Sequence, residues 1–153
     1  MSPVTTVARR RRRLFAVSGF VALLLVLTSF TGCMNTDQDT TYVALNADRV
    51  SHGLPALPMN DAAMAKAQAW ANHLARMGTL VHSYLPNGFA PTSWCHLGEN
   101  IGYGPSAVII ERAYMSSPPH RANILADRWT GVGVGYAKVG GRVYTVEEFI
   151  GAC

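Results

Sequence analysis

The chain has 153 residues, 49% of them hydrophobic and 14% charged, with 13 Lys+Arg against 9 Asp+Glu for a formal net charge of +4. That length bounds it to one small domain plus short flanking segments, with no internal repeat or low-complexity tract. The basic excess is local: five arginines stand at 9–13, and from Cys33 onward eight basic residues face nine acidic ones, a net charge of −1, so no nucleic-acid partner is expected.

Arg9–Arg13 precede an unbroken apolar stretch, "LFAVSGFVALLLVLTSF" at 14–30. A cationic start followed by such a stretch reads as an export signal. Its length is also close to that of a membrane-spanning helix, so a retained anchor is the alternative. "FTGC", residues 30–33, resembles the bacterial lipoprotein lipobox, with Phe30 in place of its usual leucine. The resemblance implies that Cys33 is lipidated and becomes the first residue of the mature chain. Either anchor keeps the arginines cytoplasmic and delivers the remainder outside. Residues 1–32 are thus read as the signal, 33–40 as a polar tether and 41–153 as the domain. Of the three cysteines, lipid on Cys33 leaves Cys95 and Cys153 as a pair in an oxidising compartment.

In chain order, "TTYVALNADRVSHG" at 40–53 places Val43, Ala47, Val50 and Leu54 at helical spacing, with Gly53 to end the helix. "NDAAMAKAQAWANHLARMG" at 60–78 is a helix capped by Asn60, stopped by Gly78 and buried along Ala63, Ala67, Trp70 and Leu74. The stretch 79–104 is irregular apart from a turn at "PNG" and a strand at "LGENIGYG". A third helix is expected over 105–116, with Val108, Ile109, Ala113 and Tyr114 inward and Pro105 near its first turn. In "SSPPHRANIL", 116–125, the two prolines stop that helix near Ser117 and hold His120 at a rigid corner, with Ile124 and Leu125 as core anchors. The period then changes to two. "GVGVGYAKVGGRVYTVEEFIG", 131–151, reads as two strands joined at Gly140-Gly141, with Gly131, Gly133 and Gly135 leaving a bare face for a helix. Helices clustered around a small antiparallel sheet make the class α+β.

Several chemistries are excluded. HExxH is absent, "YGPSA" lacks the closing glycine of a nucleophile elbow, and Lys138 stands where a dinucleotide loop needs its third glycine. What remains is a spread-out set: "VHS" at 81–83, "GENIG" at 98–102, "SSPPHRANIL", "GVGVGY" and "YTVEEF". Together with Asn46 and Arg49 in "LNADRVSHGLPAL", this set resembles the CAP superfamily (cysteine-rich secretory, antigen 5 and pathogenesis-related class 1 proteins; SCP domains) over about Tyr42 to Gly151.

The resemblance implies an α-β-α sandwich with a surface cleft carrying two histidines and two acids. His82 matches the first histidine, Glu99 one acid and His120 the second histidine. The other acid, in the family's Trp-x-x-Glu pattern, falls where this chain reads "YMSS", so a serine replaces it. Glu111 lies one to two turns earlier and is expected to point elsewhere. His96 is expected at the rim, His52 and His73 in solvent, and Asn46, Arg49 and Asn123 as structural hydrogen-bonders. Two imidazoles can hold zinc, but catalytic zinc sites usually have three protein ligands. A weakly held divalent ion on His82 and His120, completed by water, is therefore the expected cofactor. The functional reading is a non-enzymatic module, tethered to the membrane and presenting the cleft to a small molecule, lipid or envelope component. The alternatives are a metal-assisted hydrolase using His82, Glu99 and His120, peptidase-like or acting on cell-wall material, and a purely structural surface antigen.

Overall fold

Alternate residues of a strand share a face, so Gly131, Gly133 and Gly135 strip one side of their strand of side chains. In the computed structural model, which describes residues 36–153, a helix lies directly on that side. A Cβ on Gly133 would stand 2.0 Å from the carbonyl carbon of Ala63, and one on Gly135 would stand 2.1 Å from the carbonyl oxygen of Ala67. That helix, α2 (Asp61–Met77), begins as its sequence dictates: the Asn60 side chain accepts from the Ala63 N–H, and Gly78 closes it in the left-handed region at φ 70°. Its start is pinned to the sheet, because the Asn60 N–H donates to the Val132 carbonyl and the Val132 N–H to that of Pro58, both at 3.0 Å.

The order is α1 (Thr36–Ser51), α2, β1 (His96–Gly104), α3 (Ala107–Ser116), α4 (Pro118–Ile124), β2 (Gly131–Val139) and β3 (Arg142–Gly151). The three strands form an antiparallel sheet in the order β1-β3-β2. Gly140 and Gly141, both at positive φ (56° and 80°), make the β2–β3 turn. Ala67, Ala71 and Leu74 of α2 pack on Ile101, Tyr144 and Val146 on one face. On the other, Leu45 of α1, Ile110 and Tyr114 of α3 and Ile124 of α4 pack on Val132, Val143 and Phe149. This is the expected α-β-α sandwich. Cys95 and Cys153 are joined, tying the entry of β1 to the exit of β3. In the chain-entropy view, a closure of 58 residues restricts the unfolded state by about 4 kcal/mol.

Four expectations need correction. α1 begins at Thr36, so the second half of the stretch read as a tether is helical; residues 1–35, including the signal and Cys33, lie outside the described residues. The α1 stripe of Val43, Ala47 and Val50 is solvent-exposed, and the buried face is Gln38, Thr41, Leu45, Asn46 and Arg49. Likewise Val108, Ile109 and Ala113 of α3 face solvent while Ala107, Ile110, Glu111 and Tyr114 are buried. The reason is that this layer of the core is partly polar. Asn46 accepts from the Leu57 N–H and donates to the Leu57 carbonyl, while Arg49 donates to the carbonyls of Pro55, Ile124 and Ala126. Apolar periodicity alone therefore selected the wrong side of α1 and, Tyr114 apart, of α3. Finally, the two prolines do more than form a corner: they occupy the first turn of α4, which contains His120.

The same layer buries Glu111 and Glu147, 3% and 0% exposed. Glu147 accepts from the Asn100 side-chain amide at 2.9 Å, but neither Glu111 oxygen has an N–H or O–H donor. Burial, then the charge of Glu147 and that of Asp48, push the Glu111 carboxyl up to about 11. Burial likewise raises Glu147 to about 7. With its value raised this far, the Glu111 carboxyl is favoured in its protonated form.

Two predictions follow from this packing. Gly133→Ala has to push α2 off the sheet and should cost about 3 kcal/mol or more, measured by urea unfolding. For the acids, the folded values lie above the unfolded ones, so stability is complete below about pH 4.5 and declines as pH rises through the folded values. Each proton retained on folding contributes a slope of about 1.4 kcal/mol per pH unit. The thermal midpoint should therefore be higher at pH 5 than at pH 8, and Glu111→Gln should flatten that decline.

Candidate functional site

The site is built outward from β1, an edge strand. Glu99 and Asn100 are neighbours on it and point to opposite faces. Glu99 is paired in register with Glu148 of β3, so strand pairing sets two carboxyls side by side on the α2 face. Like charges opposite each other repel, and three groups offset them. Lys66 of α2 forms a buried ion pair with Glu148 and donates to the Ser83 hydroxyl at 2.6 Å. Ser83 donates its hydroxyl to Glu148 at 3.3 Å and its backbone N–H to Glu99 at 2.9 Å. His82 places Nδ1 2.6 Å from the same Glu99 oxygen. Burial pushes the Glu148 carboxyl up to about 8 against the pull of Lys66, with Glu99 adding to the rise.

The result is an asymmetric pair. The Glu99 side chain is 1% exposed and that of His82 is 62% exposed, so a buried carboxylate orients an imidazole that stands in solvent. With Nδ1 committed to Glu99, Nε2 is the nitrogen left for a ligand.

His120 approaches from α4. The short helix is docked on β1 by Asn123, which donates to the Glu99 carbonyl at 3.2 Å and the Asn100 side-chain oxygen at 2.9 Å. Asn100 in turn donates to the His120 carbonyl at 3.1 Å. The imidazole packs against Tyr114, 5.1 Å between centroids, and its Nδ1 lies 2.8 Å from the Ser117 hydroxyl. Ser117 stands at the last position of "YMSS", where the family pattern puts an acid, and serves here as the partner of His120. Burial and then the charge of the nearby His82 lower the His120 pKa.

The structure thus groups His82 with Glu99 and brings His120 within electrostatic reach. Glu111 points away from these groups, as expected, and is buried in the core. His96 is exposed at the start of β1. His52 is exposed at the end of α1, and His73 is half-buried, stacked on Trp70. Sequence reasoning missed Lys66, Ser83 and Glu148. Alternation in "YTVEEF" sends one of its two glutamates to each face of the sheet; only the register shows that Glu148 meets Glu99. Among the described residues, no group of three or more His, Cys, Asp or Glu is arranged to hold a metal. A metal would rest on two ring nitrogens and water.

Residues 42–151 match the model of the cysteine-rich secretory protein family, CAP. Solved structures of similar fold include an outer surface protein of Borrelia burgdorferi, 19% identical with a TM-score of 0.66, covering 78% of this chain and 97% of that one. An SCP-domain extracellular protein of Bacillus anthracis is 22% identical with a TM-score of 0.65, covering 74% of this chain but 40% of that one. A cysteine-rich secretory protein of Staphylococcus aureus is 19% identical with a TM-score of 0.62, covering 75% of this chain and 38% of that one. This chain thus spans less than half the length of the latter two. No curated protein sequence matches it significantly. At these identities the structures establish the shared fold, and the family match spans more than two thirds of the sequence: the chain belongs to the cysteine-rich secretory protein (CAP) family.

Proposed function

We propose that this chain is an exported, membrane-tethered CAP domain. In this reading the cleft formed by His82, Glu99 and His120 binds a small molecule, lipid or envelope component. The observation that carries the proposal is the exposed His82 imidazole backed by the buried Glu99 carboxylate. A carboxylate on the far nitrogen fixes the ring, the arrangement typical of histidines that bind metal. His120, held by Ser117 through Nδ1, likewise keeps Nε2. The donor set suits a divalent ion, zinc first, held by two imidazoles and water and hence weakly.

Export is supported by the arginine-led apolar start and by relatives described as outer-surface, extracellular or secretory. One observation favours the hydrolase alternative: strand pairing supplies a second carboxyl, Glu148, next to Glu99. Glu148 is fully buried and ion-paired with Lys66, which removes it from the solvent side where a substrate would sit. The binding reading is preferred for that reason.

Two measurements test the proposal. Calorimetry on the full chain should detect zinc binding at pH 7.5 that weakens by pH 5.5, because the ion requires neutral imidazoles. His120→Ala should weaken it about tenfold or more; equal binding by both proteins would remove His120 from the site. For the anchor, intact mass of the membrane-bound form should show loss of residues 1–32 and a lipid adduct, and Cys33→Ala should abolish both. An unmodified full-length mass would refute the lipid anchor.

A further inference from the structure

A surface helix ordinarily shows charged or long polar residues to solvent. The outer side of α2 shows Ala62, Ala65 and Ala69, all exposed. The space that these short side chains leave, beneath the loop of residues 83–88, is a cavity of about 290 Å³ open to solvent. That is the lower end of the range for small-molecule sites, roughly 300 Å³ and upward.

The character of the lining is two-sided. The alanine methyls and the Trp70 indole form its apolar part. The indole is held in place: its Nε1–H donates to the Val81 carbonyl at 2.9 Å, and its ring stacks on His73 with 4.5 Å between centroids and 18° between planes. Tyr84, another lining residue, is 76% exposed and presents an aromatic ring to solvent. Ser83 and Asn87 add a hydroxyl and an amide from the same loop.

Charge narrows the ligand class. The lining residue that carries a charge is Lys66, and its ammonium is already paired with Glu148 and Ser83. An anion would have to compete with a buried carboxylate for that group. An acyl chain would bury the Asn87 amide without offering it a partner. A neutral sugar ring meets both halves: its C–H face packs on the indole and methyls, and its hydroxyls reach the Asn87 amide.

We infer that the α2 cavity is a binding site for a short neutral saccharide, distinct from the imidazole pair although Lys66 and Ser83 border both. The test is titration of the full chain with an N-acetylglucosamine oligomer and a maltooligosaccharide, with sodium palmitate and inorganic phosphate as competitors of other chemistry. The readout is the Trp70 indole N–H resonance, assigned with Trp70→Phe. A saccharide should shift it saturably. Ala65→Leu, which fills the cavity from a solvent-exposed position, should weaken binding about tenfold or more, while His120→Ala should stay within about twofold of wild type. The inference is overturned if neither saccharide moves the Trp70 resonance, if Ala65→Leu binds as wild type, or if palmitate or phosphate alone saturates the site.

Discussion

The contact of the α2 backbone with the glycine face of β2 is the constraint on which the site depends. Gly133 is paired with Glu148 across the β2–β3 ladder, and Ala63 lies directly over Gly133. Lys66, three residues further along α2, is thereby carried to Glu148. A side chain on Gly133 or Gly135 would lift the helix and withdraw the lysine. With the lysine in place, Glu148 and Glu99 can sit side by side in a dry interior, because one of the two charges is compensated. The Ser83 hydroxyl completes that arrangement, the Ser83 N–H binds Glu99, and His82 is the next residue back along the chain. Backbone packing on one side of the sheet thus fixes an imidazole at its edge.

The opposite face is organised by polar groups. Arg49 ties α1 to the end of α4, Asn46 holds the backbone at Leu57, and Glu111 of α3 and Glu147 of β3 are buried in the same layer. Asn100 and Asn123 extend this network to α4 and set His120. The two faces meet at consecutive residues of β1: Glu99 serves His82 and Asn100 serves His120. The edge position of that strand lets both imidazoles reach the surface while their supports stay buried.

What was legible in the sequence follows the same division. Where burial is apolar, pattern sufficed: the Asn60 and Gly78 caps of α2, its alanine stripe, the Gly140-Gly141 hairpin and the glycine face were all readable from local chemistry. Where burial is polar, apolar periodicity misled, because Gln38, Thr41, Asn46 and Arg49 occupy the inner face of α1 and valines the outer one. The prolines before His120 read as a corner because a seven-residue helix leaves no periodic signal. His82, Glu99 and His120 were recognisable by family resemblance and cysteine pairing by arithmetic. The Lys66–Ser83–Glu148 support was not, since its members come from three segments joined by strand register and helix position.

The dependence of the His82 corner on Lys66 is open to a direct measurement. Hydrogen exchange at the Ser83 amide, which is bonded to the buried Glu99 carboxylate, can be compared between wild type and Lys66→Met, with the β2–β3 hairpin amides as an internal control. If α2 holds the corner through Lys66, Ser83 exchange should accelerate about tenfold or more in the variant while the hairpin amides keep their protection. Equal protection of the Ser83 amide in both proteins would contradict the coupling of the α2–sheet contact to the site.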